Sequence, residues 1–275
     1  MLEFTLPSFL NEGIDFNEET KEVSYNPYHQ DVVDTSEITN PTSWKILNVE
    51  VFSIFKRRKG RQYLNGNPLV YAMKKEHGWH FKSRIDEAQV YEQFDKIIKK
   101  FAKANPIGLT IVLPSTNVLN RSIAERIKSL CSDCEIITDV FRKLYVHEVE
   151  DDLYEDLYDE DNEGLFWNQT KSMSSSEQKR LMDKIDKCLD KMKEENNNVF
   201  SFHGLPKDVR EIIKRSITIN EPLFNFVAER INGRDILIID DVVSRGKTLE
   251  NAIEEIQRVF LPQSIKVLTL FSKAK

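Results

Sequence analysis

Residues 235–249 read DILIIDDVVSRGKTL. Four branched aliphatic residues in a row, Ile236 to Ile239, form the run expected of a strand buried on both faces. That run ends on two adjacent carboxylates, Asp240 and Asp241, and a turn of Ser244, Arg245, Gly246, Lys247 and Thr248 follows. The spacing then predicts a helix from about Lys247 to Val259, with Leu249, Ala252, Ile253 and Ile256 facing inward. A strand that ends on acids and turns through a glycine into a helix builds a ligand-facing edge rather than a plain connection.

Outward from this stretch the same rhythm repeats. LTIVLP (Leu109–Pro114) reads as a buried strand, and Val118 to Leu130 as a helix with Leu119, Ile123 and Ile127 in register. CEIITDVFRKLY reads as a second strand and SIKVLTLFS as the last. Strands alternating with helices of this length predict an α/β fold, a parallel sheet covered by helices on both faces. This core is expected over 83–275. It opens on a helix capped by Ser83 with Asp86 three residues later. Tyr91, Phe94, Ile98 and Phe101 form its apolar face, and it breaks at Asn105–Pro106.

Residues 1–82 are expected as a β-rich N-terminal segment, a hood over the core. Its first 45 residues read as a loosely packed arm. LNVEVFSIFKRR, a turn around Lys59–Gly66, and NPLVYAMKKEHGWHF then read as a hairpin or small sheet. A long insert, 145–214, interrupts the core. It holds the acidic HEVEDDLYEDLYDEDNEG, then an amphipathic helix carrying Leu181, Ile185, Cys188, Leu189 and Met192, then the short helix LPKDVREIIKRS. An insert of this length is the expected lid, or the surface for a protein partner or a second copy of the chain.

Composition narrows the function classes. The 275 residues carry a net charge of −6, which argues against sequence-blind binding of nucleic acid by the whole surface. KRRKGR (Lys56–Arg61) is the one basic run that would meet a polyanion, and a solvated hairpin turn is its plainer reading. There is no run of ~20 apolar residues of the kind a spanning helix needs. The first residues lack the order of a secretory signal. Three cysteines suggest reduced thiols and a cytoplasmic protein. Cys131 and Cys134 with His77 and His80 have zinc-like spacing but fall in unrelated elements, so core thiols are the expectation. His147 and His203 lie near the expected lid and read as structural or exposed.

In an open parallel sheet, ligands sit outside the carboxyl ends of the strands. Asp240 and Asp241 fall there as acceptors suited to vicinal sugar hydroxyls. Ser244 to Thr248 offer hydroxyls and the unpaired amides of a helix start, where an anion is favoured. Gly246 permits close approach and a positive φ. Together they match a phosphorylated ribose.

Asp240 to Leu249, after four aliphatic residues, resembles the phosphoribosyl-pyrophosphate (PRPP) motif of type I phosphoribosyltransferases, with Arg245 where a Thr is usual. The layout is most similar to the competence-associated phosphoribosyltransferase-like proteins, without their cysteine-rich finger. The resemblance implies a phosphoribosyltransferase-like core and a glycosyltransferase of nucleotide metabolism. Such an enzyme moves 5-phosphoribosyl from PRPP to a nitrogen acceptor and releases pyrophosphate.

By the same resemblance Asp240 and Asp241 hold the ribose hydroxyls and Mg²⁺, and Ser244, Arg245, Gly246, Lys247 and Thr248 wrap the 5′-phosphate. Pro114, Ser115, Thr116 and Asn117 form the pyrophosphate loop, and Arg142 and Lys143 neutralise the leaving group. Ser244 stands where purine-type members carry an Asp, so base handling of that kind is not expected. The acidic start of the insert, where a basic lid is usual, favours a second reading: a non-catalytic regulator or effector subunit that binds PRPP or a nucleotide and acts through its insert and N-terminal segment.

Overall fold

The computed structural model describes residues 12–29, 31–58, 67–115, 118–157, 165–195, 197–202, 205–242 and 246–272. The N-terminal elements are β1 (Gly13–Asn17), β2 (Glu22–Asn26), β3 (Val33–Asp34), β4 (Thr42–Ile46), β5 (Val49–Arg57), α1 (Asn67–Lys74), β6 (His80–Phe81) and α2 (Arg84–Ala104). The first core unit is β7 (Leu109–Val112), α3 (Leu119–Leu130) and β8 (Glu135–Ile137). Next come β9 (Phe141–Lys143), α4 (Val146–Leu157), α5 (Leu165–Thr170), α6 (Ser175–Glu195), α7 (Lys207–Ile212) and β10 (Ile217–Ile219). A 3₁₀ turn at Glu221–Leu223 leads into α8 (Phe224–Ile231), and β11 (Asp235–Val242), α9 (Lys247–Val259) and β12 (Ser264–Phe271) follow.

The α/β architecture is as expected. Five strands run parallel in the order β5, β12, β11, β7, β8, and β3 and β4 add antiparallel to the outer edge of β5. A small mixed sheet, β1–β2–β6, lies at the N-terminal end. Strand alternation divides the aliphatic run of β11 between two cores. Leu237 and Ile239 join Leu268, Leu270, Val112 and residues of α1, α2 and α3; Ile236 and Ile238 join Val267 and residues of α8, α9 and the β9–β10 ribbon. That double burial is why the run has no polar positions. The cap of α2 forms as its sequence requires, with the Asp86 amide donating to Ser83 Oγ at 3.1 Å. No helix among the described residues is long and apolar enough to cross a membrane.

Four expectations change. The described part of the N-terminal arm is folded, with Ile14, Val23 and Val33 fully buried in the same core as α2. Its β5 pairs with β12 inside the main sheet instead of forming a separate hairpin. NPLVYAMK is α1, a helix: Leu69, Val70, Ala72 and Met73 are buried at helical spacing, and Pro68 is tolerated in a first turn. The expected turn at 59–66 lies outside the described residues.

CEIITDVFRKLY is two strands rather than one. Asp139 takes a left-handed φ of 64°, which ends β8 and sends β9 out of the sheet to pair antiparallel with β10. Beyond these four, the acidic start of the insert, to which the sequence reading assigned no element, is helical over its described residues. Val149 and Leu153 of α4 pack with Phe166, Leu181, Ile185, Leu189, Val209 and Ile212 in a third apolar core, so the insert has an interior of its own.

Truncating Ile238, buried under α9, is expected to cost about 2–5 kcal/mol in Ile238→Ala, whereas Asp139→Gly is expected to hold or raise stability by relieving the left-handed residue. Urea denaturation of the two variants beside the parent checks both.

Candidate functional site

After β7 the chain runs outward to β8 and then returns past β7 to lay down β11 and β12 on the other side. The order of strands therefore reverses between β7 and β11, and the crevice at such a reversal is where open α/β sheets bind ligands. The end of β11 brings Asp240 and Asp241 to this point, and the end of β7 brings Leu113, Pro114 and Ser115. The Leu113 amide still donates to the Ile239 carbonyl at 3.1 Å, so both segments start from one rigid edge.

Asn120, in the first turn of α3, bridges them. Its Nδ2 lies 3.3 Å from the Leu113 carbonyl and 3.4 Å from Asp240 Oδ1. The side chain is buried, and its Oδ1 has no hydrogen-bond partner among the described residues. An orphaned buried acceptor costs free energy unless a donor arrives.

The two acids differ in surroundings. Asp241 is 8% exposed, and its Oδ2 lies 2.7 Å from Nζ of Lys74, the last residue of α1. Asp240 is half-buried, and its Oδ1 also accepts from the Asp241 amide at 2.9 Å. Its carboxyl is pushed up to about 7, first by burial and next by the charge of Asp241; the Asp241 amide, Asn120 and Lys74 oppose the rise. Near neutral pH this carboxyl is therefore poised between its neutral form, a donor, and its charged form, an acceptor.

The expected basic pair is split. Arg142 and Lys143 are neighbours on β9, so their side chains leave opposite faces of the ribbon. Lys143 is near the acids: burial lowers its pKa, while Asp241 and Asp240 raise it. Arg142 is engaged elsewhere, in a two-pronged contact with Glu148 of α4 at 2.7 and 2.6 Å, and Glu148 also accepts from the Tyr145 amide at 2.7 Å. These contacts hold the Glu148 carboxyl below the usual carboxylate range, with the Arg142 hydrogen bond the largest cause. The ribbon carrying Lys143 is fixed by Asn251 of α9, a buried residue whose Oδ1 accepts from the Ser216 amide at 3.0 Å and whose Nδ2 donates to the Lys214 carbonyl at 2.8 Å.

At the start of α9, Gly246 adopts φ 87°, a left-handed setting that suits glycine, and its carbonyl accepts from the Glu250 amide at 2.8 Å. Among the described residues no side-chain cap bond is made at this helix start. Lys247 and Thr248 are half-buried on its first turn. Ser244 and Arg245, like Thr116 and Asn117 of the expected pyrophosphate loop, lie outside the described residues, as does His203. Pro114 is half-buried and Ser115 exposed.

Several residues were not anticipated from sequence. Lys74 was hidden by reading α1 as strand, and Asn120 carries no signal beyond its place near a helix start. Arg57 belongs to KRRKGR but is not solvated. It is buried, with Nε donating to the Ser272 carbonyl at 2.7 Å and Nη1 to Asn67 Oδ1 at 2.9 Å; burial lowers its pKa, and the charges of Tyr71 and Asp241 oppose that. Its neighbour Arg58 reaches Asp34 at 3.5 Å. Arg57 is thus committed inside the protein, whereas the Arg58 side chain stays partly in solvent. Cys134 contacts Thr110 Oγ1 at 2.9 Å, and burial pushes both the Cys131 and Cys134 thiols up. His77 instead packs edge-on against Tyr71. No group of three or more potential metal-ligating His, Cys, Asp or Glu occurs among the described residues.

No family model matches this chain, and no curated protein matches it.

The raised Asp240 pKa has a definite consequence for stability. The folded state holds this proton more tightly than the unfolded chain does, so the group costs stability as pH rises from its ordinary value of 3.8 through about 7. Asp240→Asn is expected to raise the urea midpoint over the parent at pH 8, with the gain vanishing near pH 4; an equal shift at both pH values would contradict it.

Proposed function

We propose that this chain binds 5-phosphoribosyl 1-pyrophosphate across the β7–β11 reversal and transfers the phosphoribosyl group to a nitrogen acceptor, releasing pyrophosphate. One observation carries the reading: twin carboxylates end the central strand at the strand-order reversal, and the next helix starts on a left-handed glycine. Vicinal carboxylates accept the hydroxyls of a ribose, and the uncapped first turn of α9 receives its 5′-phosphate through backbone amides. Displacement at the anomeric carbon builds positive charge on the sugar, so orientation and fixed charges do most of the work.

In this reading Asp241 and Asp240 orient the ribose. Asp240, held up near neutrality by burial, can offer either an acceptor or a donor to a ribose hydroxyl. Lys143 is the member of the basic pair placed to meet pyrophosphate, and Arg142 serves the α4 contact instead. The donor set suits Mg²⁺, which takes one or two protein carboxylates and completes its shell with phosphate oxygens and water. Asp240 and Asp241 would hold it, and when bound it would screen the pyrophosphate charge. A cytoplasmic setting fits the three free thiols, Cys131, Cys134 and Cys188.

A second reading has its own support. Asp241 is already matched by Lys74 and Arg142 by Glu148, so two of the expected site groups have internal partners. A non-catalytic sensor of a phosphoribosyl compound or nucleotide, acting through the insert 145–214 and the N-terminal segment, would have this appearance.

Calorimetry with PRPP and Mg²⁺ is expected to give saturable binding that falls at least about tenfold in Asp240→Asn/Asp241→Asn, the loss expected when charged hydrogen-bond acceptors are removed. Unchanged affinity would sink the assignment. Pyrophosphate release over a panel of nitrogen bases separates the two readings, since steady turnover with any acceptor excludes the sensor.

A further inference from the structure

The acid pair has a resident cation. Nζ of Lys74 lies 2.7 Å from Asp241 Oδ2, with both side chains largely shielded from water. Two more cations stand close: Lys143, which feels both acids and Lys74, and Arg57, which feels Asp241. Among the described residues the Lys143 side chain makes no ion pair or hydrogen bond. One cation contacts the acid pair and two more act on it through their charge, so an entering anion would find cations at hand.

The mobility of the three differs. Arg57 is anchored by the Ser272 carbonyl and Asn67 Oδ1 and keeps a fixed pose. Among the described residues Lys74 is held by one ion pair at the end of a four-carbon stem, and a lysine ammonium re-aims easily. A shielded ion pair also adds little net stability, because desolvating both charges cancels most of their attraction. Folding alone gives a weak reason for Lys74 at this position.

We infer that Lys74 is a ligand-binding residue that changes partner. When the phosphoribosyl ligand enters, its ammonium leaves Asp241 Oδ2 for an oxygen of the pyrophosphate, and the released carboxylate takes a ribose hydroxyl. This deepens the phosphoribosyl reading and rests on it. The 5′-phosphate has the first turn of α9, whereas Lys74 and Lys143 come from α1 and β9 and are left for the second anionic group. The exchange breaks no covalent bond and conserves charge: one ion pair is replaced by another, and the ligand's hydroxyl replaces the ammonium at the acid.

The test is calorimetry on the full chain with three probes: PRPP with Mg²⁺, inorganic pyrophosphate, and ribose 5-phosphate. Lys74→Met is expected to weaken PRPP and pyrophosphate about tenfold or more, the usual loss for a hydrogen bond to a charged group. Ribose 5-phosphate, which lacks the pyrophosphate, should bind as well as before or tighter, because the competing ammonium is gone from Asp241. Lys74→Arg should recover part of the PRPP affinity. If Lys74→Met does not fold, Lys74→Gln, neutral but still able to donate to Asp241, carries the same comparison. A parallel loss for all three probes assigns Lys74 a structural role and overturns the inference, and so does unchanged binding of PRPP and pyrophosphate. If the parent protein binds none of the probes, the phosphoribosyl reading falls and this inference with it.

Discussion

The burial of β11 on both faces is the constraint from which the rest follows. A strand at the centre of a parallel sheet has helices above and below it, so Ile236 to Ile239 must all be apolar. The first polar side chains can come only where the strand leaves the sheet, and there they meet a low-dielectric edge. Two adjacent carboxylates in that position cannot both ionise without help. The protein meets this with Lys74 against one acid and with a proton, near neutrality, on the other. Asn120, Lys143 and Arg57 are arranged around the same difficulty.

The same edge is suited to a polar ligand. Charge that is costly at rest becomes useful when a polar ligand supplies the missing donors and anions. Among the described residues, the orphaned Asn120 Oδ1 and the crowded acids leave the crevice short of hydrogen-bond donors. The sugar hydroxyls of the proposed ligand would supply them. Arg142, in contrast, is balanced by Glu148, which is why it belongs to the packing of α4 rather than to the acids.

Much of the sheet was legible because periodicity reports burial directly. β7, α3, α9 and β11 each show their pattern without interference, and Ser83 with Asp86 announced the start of α2. The misreadings have physical causes. Asn67 to Lys74 is short, and its apolar run fits strand or helix equally until the packing of Leu69, Val70, Ala72 and Met73 decides. The departure of β9 depends on one left-handed residue, Asp139, in a sequence that otherwise favours an unbroken strand. For the site, the acids and Gly246 were visible because the motif is local. Lys74, Asn120 and Arg57 reach it from three separate elements, and contacts between distant parts of a chain leave no local pattern to read.

The β9–β10 ribbon has a consequence for how this molecule can vary. The chain enters the α4–α7 unit on one rail of the ribbon and leaves on the other, and adjacent strands lie about 4.8 Å apart. A module whose two ends meet so closely, and which has its own oily interior, asks almost nothing of the scaffold it hangs from. Lengthening it, trimming it or exchanging it for another would leave the parallel sheet unaware of the change. Novelty can therefore accumulate at this doorway while the crevice behind it keeps its shape.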